Sequence, residues 1–339
     1  MTSGISLEIL DLRHFAASLL RPLLEAEGEV WRERLHWDYG TSARLLMQYL
    51  DSRMLPGYAA LDGGKVTGYA FCVYEETKAV IGDVFAMPGE QTNRPAAMVA
   101  AEAGRPQTPL EIEKTLLRHL FETLQHSPHV ERIESQLLLH PAGAHGGAFR
   151  DAGFELYRRY FMVQGLAGRR GQAHLEVPRE LEFRLWRDDD LMEAGRLISQ
   201  AYAEHPDSLI NDQYRSPHGS MRFLHNIVRY SGCGTFAPQV SHVIFERSSR
   251  EMVGLVLGSK VSQRSGHITQ LCVRPDYRRR QLGRMLLSVA SEKFAQEGVQ
   301  EVSLTVTEAN TRAIQLYRSE GYECLHMFDA AVWQRDHIA

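Results

Sequence analysis

Residues 267–294 read HITQLCVRPDYRRRQLGRMLLSVASEKF. The opening residues alternate as a strand does, with His267, Thr269, Leu271 and Val273 on one face. The strand ends near Pro275 and a basic loop follows. Beyond it, Leu282, Met285, Leu286, Val289, Ala290 and Phe294 share one helical face. The first amides of such a helix lack internal partners and sit at the positive end of its dipole, which suits a phosphate or pyrophosphate. Arg278, Arg279, Arg280 and Arg284 add positive charge beside it. Taken alone, the loop reads equally well as a solvated basic turn opening an ordinary helix.

Working outward, this stretch is the second of two similar arrangements. YAALDGGKVTGYAFCVYEETKAVIGDVFAMPG begins at Tyr58 and SHVIFERSSREMVGLVLGSKVSQRSGHITQLCVRPD at Ser241. Each reads as strand, polar turn, strand, turn, strand and a closing Pro. Asp62-Gly63-Gly64 is a strong turn signal and Arg247-Ser248-Ser249-Arg250 a weaker one. A helix follows in each half, the first carrying Ile112, Leu116, Leu117, Leu120, Phe121 and Leu124 on one face. Strands near 132–139 and 301–307 come next, then a short helix and a Gly-aromatic pair, Gly153-Phe154 or Gly321-Tyr322.

The spacing from Pro88 to Gly153 exceeds that from Pro275 to Gly321 by 19 positions, which predicts a surface insertion at 89–109. Each half thus reads β-α-α-β-β-β-α-β-α-β. The predicted class is α/β, a mixed sheet with helices on both faces in three layers. The breakers Gly165, Gly168, Gly171 and Pro178 mark a linker. The expected division is 1–167, a linker at 168–180, and 181–339.

A chain of 339 residues accommodates two such domains. Hydrophobic residues at 44 % and charged residues at 24 % exclude a disordered chain. Lys+Arg of 38 against Asp+Glu of 42 argues against general nucleic-acid or polybasic membrane binding. The start, MTSGISLEILDLRHF, lacks the apolar core of a signal peptide, and no apolar run approaches a membrane span. A soluble, cytoplasmic protein is expected. Cys72, Cys233, Cys272 and Cys324 are scattered without ligand spacing, so they are read as small buried apolar residues. His205, His218 and His225 crowd one loop with Asp207 and Asp212, but no HxxH or HxxxH spacing occurs and no metal is expected.

Val273-Arg274-Pro275 followed by Arg278-Arg279-Arg280-Gln281-Leu282-Gly283 resembles the signature of the GNAT superfamily of acyl-CoA-dependent N-acyltransferases, V-x-P and then [Q/R]-x-x-G-x-[G/A]. Gln281 stands where the first Gly belongs; its amide can still donate if the position does not need positive φ. Downstream, ANTRAIQLYRSEGYE resembles the family's N-x-x-A-x-x-L-Y-x-x-x-G-[F/Y], with every fixed position filled. The resemblance covers Leu181 to about Arg335, and the first half only through the repeat.

The resemblance implies tandem GNAT domains and acetyl-CoA as acyl donor, its thioester attacked directly by an amine. The backbone of Leu271 and Val273 would flank the pantetheine arm. The amides of Arg279, Arg280, Gln281, Leu282, Gly283 and Arg284, beside Arg278, would take the pyrophosphate. Asn310 would contact the cofactor, or else cap the next helix. Tyr317 would protonate the departing thiolate, or else pack on the sheet. The base would be His267, which stands where some members carry Glu; Glu308 and ordered water are the alternatives.

In the first half Phe149 replaces Tyr317, and Glu111 and Glu113 open the helix, which implies a degenerate copy without CoA chemistry, serving packing or shaping the acceptor site. Family layout puts Tyr202, Asp212 and Tyr214 near the acceptor. The expected function is N-acetyltransfer to a primary amine of a small molecule or peptide. The alternative is a non-catalytic CoA-binding or interaction protein. Neither the acceptor nor the oligomeric state is legible.

Overall fold

The computed structural model describes residues 7–87, 108–168, 177–229 and 234–335. The first half runs β1 (Glu8–Asp11), α1 (Ala17–Leu35), α2 (Gly40–Asp51), β2 (Gly57–Asp62), β3 (Lys65–Glu75), β4 (Lys78–Ala86), α3 (Pro109–His126), β5 (Arg132–Gln136), α4 (Gly146–Asp151) and β6 (Glu155–Gly165). The second runs β7 (Leu181–Leu185), α5 (Leu191–Ala201), α6 (Asp207–Ile210), α7 (Pro217–Arg229), β8 (Thr235–Phe236), β9 (His242–Glu246), β10 (Met252–Lys260), β11 (Ser265–Val273), α8 (Leu282–Gln296), β12 (Glu301–Thr307), α9 (Thr311–Ser319) and β13 (Glu323–Gln334). Each half follows the expected order, with the short α6 and β8 added to the second. The predicted insertion falls almost wholly, and the linker largely, outside the described residues. Among the described residues no helix is long and apolar enough to cross a membrane.

The chain forms two compact units. One draws on Met1–Leu35, Ser42–Leu156 and Phe328–Ala339, the other on His36–Thr41 and Tyr157–Met327. The expected cut at 167–181 kept each half to itself. Instead, β6 pairs antiparallel with β12 in the second unit, from Glu301↔Gly165 to Thr307↔Arg159. The end of β13 pairs with β5 in the first, from Ala330↔Gln136 to Gln334↔Arg132. An alternating strand states which face it buries, not which neighbour supplies its ladder.

In the first unit the sheet order is β1-β2-β3-β4-β5-β13, antiparallel except for the parallel β4–β5 pair. Gly63 and Gly64, both at positive φ, make the two-residue turn between β2 and β3. Leu116, Leu117, Leu120 and Phe121 of α3 bury against Ala70, Ile81 and Val84. The second unit orders β6-β12-β11-β10-β9-β7, with only β11–β12 parallel, and β8 pairs with β10.

The second unit has the three expected layers. Leu286, Ala290 and Phe294 of α8 pack on one face with Val256 and Val302. Leu197, Ile198 and Ala201 of α5 pack with Leu255 and Leu257 in a separate core. A Cβ at Gly266 would lie 2.6 Å from the Phe294 ring, so the glycine lets that ring reach the sheet. Cys72 and Cys272 are buried as expected, whereas Cys324 is exposed; Cys233 lies outside the described residues.

The repeat extends to register. The β3–β4 ladder breaks between Phe71 and Cys72, and the β10–β11 ladder between Leu257 and Gly258, each four residues into the shared pattern. Helices α4 and α9 both end in a positive-φ glycine, Gly153 or Gly321. The following amide then bonds back five residues, Phe154 to Phe149 and Tyr322 to Tyr317. Phe149 and Tyr317 therefore hold equivalent places.

Candidate functional site

In the second unit β11 and β12 pair only from Ser265↔Glu301 to Ile268↔Leu304. Beyond that β11 runs on to Val273 and β12 to Thr307, so the strands part at their carboxyl ends. A bulge at Thr269 accompanies the parting: Leu257 faces Gln270, and Gly258 faces Ile268. The Thr269 hydroxyl donates to the Leu257 carbonyl at 3.1 Å and holds the bulge. Bulges bend a strand and sharpen its twist, which opens a wedge beside Thr269–Val273. Openings at the carboxyl ends of parallel strands are favoured ligand sites in α/β sheets.

The wedge leads to the start of α8. Gln281 caps the helix at φ 62° and makes no side-chain cap bond. The position therefore does require the left-handed conformation, and Gln281 and Arg279 (φ 65°) adopt it at a cost of about 1–2 kcal/mol each. Their amides, with those of the acid-free first turn Leu282, Gly283 and Arg284, are the donors of the loop. A Cβ at Gly283 would meet Leu316 only at 3.5 Å, so protein packing does not demand glycine there.

The arginine side chains do not converge as expected. Arg278 donates to the Ala201 carbonyl at 2.8 Å. Arg280 stacks on the Tyr277 ring. Arg284 pairs with Glu320 and bonds Ser319. Arg279 is exposed and, among the described residues, makes no hydrogen bond or ion pair. Guanidinium groups find local carbonyls, rings and carboxylates, so charge counted along a chain overstates charge aimed at one point.

Leu271 and Val273 border the wedge on the outer part of β11, past its last pair with β12. Asn310 caps α9, its Oδ1 accepting from the Ala313 amide at 3.2 Å. Tyr317 is buried in the core, 5.9 Å from Tyr322 between ring centroids, and burial pushes its phenol further up.

His267 departs most from expectation. It lies in the paired part of β11, opposite Ser303, before the strands separate. Ser303 donates to the Gly266 carbonyl, so its oxygen accepts from His267 Nδ1 at 2.9 Å. The ring stacks near Phe161 and meets Trp37 edge-on. Burial pushes its pKa down to about 3, too low to hold an amine's proton near pH 7. The geometry makes His267 an interior packing residue. Glu308 is exposed and accepts from the Tyr160 hydroxyl at 2.7 Å.

The residues expected near the acceptor partly gather. Tyr202 and Tyr214 lie 4.4 Å apart between centroids, and Phe223 closes on Tyr214 at 5.0 Å. Burial raises both phenols. Asp212 opens the short 3-10 turn that carries Tyr214. Beside them stands Asp207, which the sequence placed in the same loop without assigning it a role. Its Oδ1 accepts from the Thr307 hydroxyl at the end of β12. Its charge acts on Tyr202, Tyr214 and Tyr317 alike. Arg159 of β6 bonds Thr305 at 3.3 Å, and its charge also acts on Tyr214 and Tyr317. The sequence held no signal for Arg159, because β6 was assigned to the other domain. For Asp207 the one hint was its nearness to Tyr202 and Tyr214.

The first unit carries the same parting, filled. The β4–β5 pairs end at Ile81↔Ser135, and β4 runs on to Ala86. By register Val84 and Ala86 stand where Leu271 and Val273 do. Here His140 Nε2 donates to the Val84 carbonyl at 2.8 Å, and the Ala86 amide donates to Glu113 Oε1 at 3.2 Å. Thr108 and Glu111 form a capping box over the start of α3. Phe149 packs with Phe121 and Phe154.

Residues 204–322 match the acetyltransferase (GNAT) family model. The chain is similar in structure to the GCN5-related N-acetyltransferase from Sphaerobacter thermophilus, at 16 % identity over 100 % of this chain and 98 % of that one, with a TM-score of 0.66. It is also similar to a tandem GNAT protein from the clavulanic acid biosynthesis pathway, at 15 % identity over 98 % of this chain and 100 % of that one, with a TM-score of 0.60. At these identities the likeness is one of fold, and the fold is that of tandem GNAT domains. No curated protein matches the sequence.

Proposed function

We propose that this tandem GNAT fold works as an acetyl-CoA-dependent N-acetyltransferase, with the chemistry in the second unit and a primary amine of a small molecule or peptide as acceptor. The observation that carries this reading is the open β11–β12 wedge running into an acid-free helix start. The edge of Leu271 and Val273 that β12 leaves unpaired suits the amide-bearing arm of the donor. The amides from Arg279 to Arg284 suit its pyrophosphate.

The amine nitrogen attacks the thioester carbonyl, and the carbon–sulfur bond breaks. Asp207 receives the proton lost by the amine, in place of His267. Its carboxylate, among the rings of Tyr202 and Tyr214, also suits the incoming ammonium. Tyr317 keeps its proton at neutral pH and gives it, or a hydrogen bond, to the departing sulfur. Asn310 is left to its cap.

Thiol release from acetyl-CoA over a panel of primary amines tests the reading. Amine-dependent release supports it. Binding of acetyl-CoA with no turnover on any amine would favour a non-catalytic CoA-binding protein, and no binding would remove both.

A further inference from the structure

We propose that the first unit holds a divalent transition-metal ion of the zinc class between Glu113, His140 and His145. The inference is independent of the acetyltransferase reading. Three donor atoms converge from α3 and from the connection between β5 and α4. Glu113 lies in the second turn of α3, His140 follows β5, and His145 precedes α4 without capping it through its side chain. His145 Nε2 is 3.2 Å from His140 Nδ1 and 3.3 Å from Glu113 Oε2, and His140 Nδ1 is 3.7 Å from that oxygen. Ligands of a tetrahedral zinc, at about 2.0–2.1 Å, stand about 3.3–3.4 Å from one another. The triangle therefore has the size of one face of such a site.

The outer bonds orient the donors. His140 Nε2 donates to the Val84 carbonyl, which leaves the Nδ1 lone pair facing inward. Glu113 Oε1 accepts the Ala86 amide, which leaves Oε2 facing inward. His145 is 4 % exposed, and among the described residues its Nδ1 has no hydrogen-bond partner, so no second bond there holds the ring in another role. Without a cation, a single N–H on His145 Nε2 must serve both the His140 Nδ1 lone pair and Glu113 Oε2. Two imidazoles and one carboxylate suit zinc, cobalt or iron rather than calcium or magnesium. The ion would fasten α3 to the segment 140–145 across the ends of Val84 and Ala86, a structural role in the unit that Phe149 leaves without a phenol.

Sequence reading missed the group because His140 and His145 are five apart, and Glu113 lies 27 residues upstream on another element. The test uses untagged full-length protein, loaded with zinc, desalted and measured by elemental mass spectrometry. About one zinc per chain is expected. Cobalt in its place should give the visible absorption of a tetrahedral ion. Glu113→Gln, close in shape, and His145→Ala should each lose that equivalent and the rise in Tm that zinc gives the parent. A folded parent that binds no stoichiometric zinc, or the same equivalent retained in both variants, would overturn the proposal. If His145→Ala does not fold, Glu113→Gln and the parent's cobalt spectrum still decide.

Discussion

The two partings of strands are built alike and finished differently. Both follow a bulge at the same register, and both leave the last residues of one strand without a ladder on one side. In the first unit the chain answers its own free groups: His140 takes the Val84 carbonyl and Glu113 the Ala86 amide. In the second, among the described residues, the corresponding groups of Leu271 and Val273 meet no such side chain, and the helix beyond starts without an acid. Buried backbone groups need partners. A parting that supplies them from its own side chains is closed to an arm that would pair with its backbone, and one that withholds them is suited to receive one. The difference lies in a few side chains, not in the fold.

Variants that make the second unit more like the first should separate the two further. Tyr317→Phe copies Phe149 and should lower kcat by about 10²–10⁴-fold, with acetyl-CoA affinity held within a few-fold. Asp207→Asn should cost a similar factor; steady-state kinetics on a responsive amine checks both. Unchanged turnover in either would remove that residue from the chemistry. Gly283→Glu places an acid in the first turn of α8, as Glu111 lies in that of α3. It should weaken acetyl-CoA binding about 10–100-fold by calorimetry, whereas loss of Glu111 should leave binding as it is.

A smaller effect concerns the strained loop. Gln281→Gly relieves a left-handed side chain and should raise stability by about 1 kcal/mol, read from the urea midpoint. The least effect on rate is expected at His267. Its folded pKa of about 3 lies below its unfolded value of about 6.5, so the unfolded chain binds more protons between them. Stability from this group is full above about pH 6.5 and is lost as the pH falls towards about 3. His267→Gln should flatten that part of the Tm–pH curve and leave the pH profile of kcat/KM unmoved. A shifted rate profile would restore His267 as base.

Much of the fold was legible because it rests on local patterns. Periodicity placed α3 and α8, Asp62-Gly63-Gly64 placed a hairpin, and two Gly-aromatic pairs aligned Phe149 with Tyr317. What was not legible depends on partners remote in sequence. Strands 155–165 and 323–334 alternate as strands do, yet their neighbours lie in the opposite halves. The arginine run suggested one aimed charge, but Ala201, Tyr277 and Glu320 divide it. His267 has the right strand parity for a base, but the rings of Trp37 and Phe161 that desolvate it come from 230 and 106 residues away. Asp207 gained meaning only when the Thr307 hydroxyl was found beside it.

The central claim is that one parting is open to the donor and the other is filled by its own chain. Calorimetric titration of the full-length protein with acetyl-CoA tests it most directly. The account predicts one equivalent per chain, weakened by Gly283→Glu. Two equivalents, or one that Gly283→Glu leaves untouched, would contradict it.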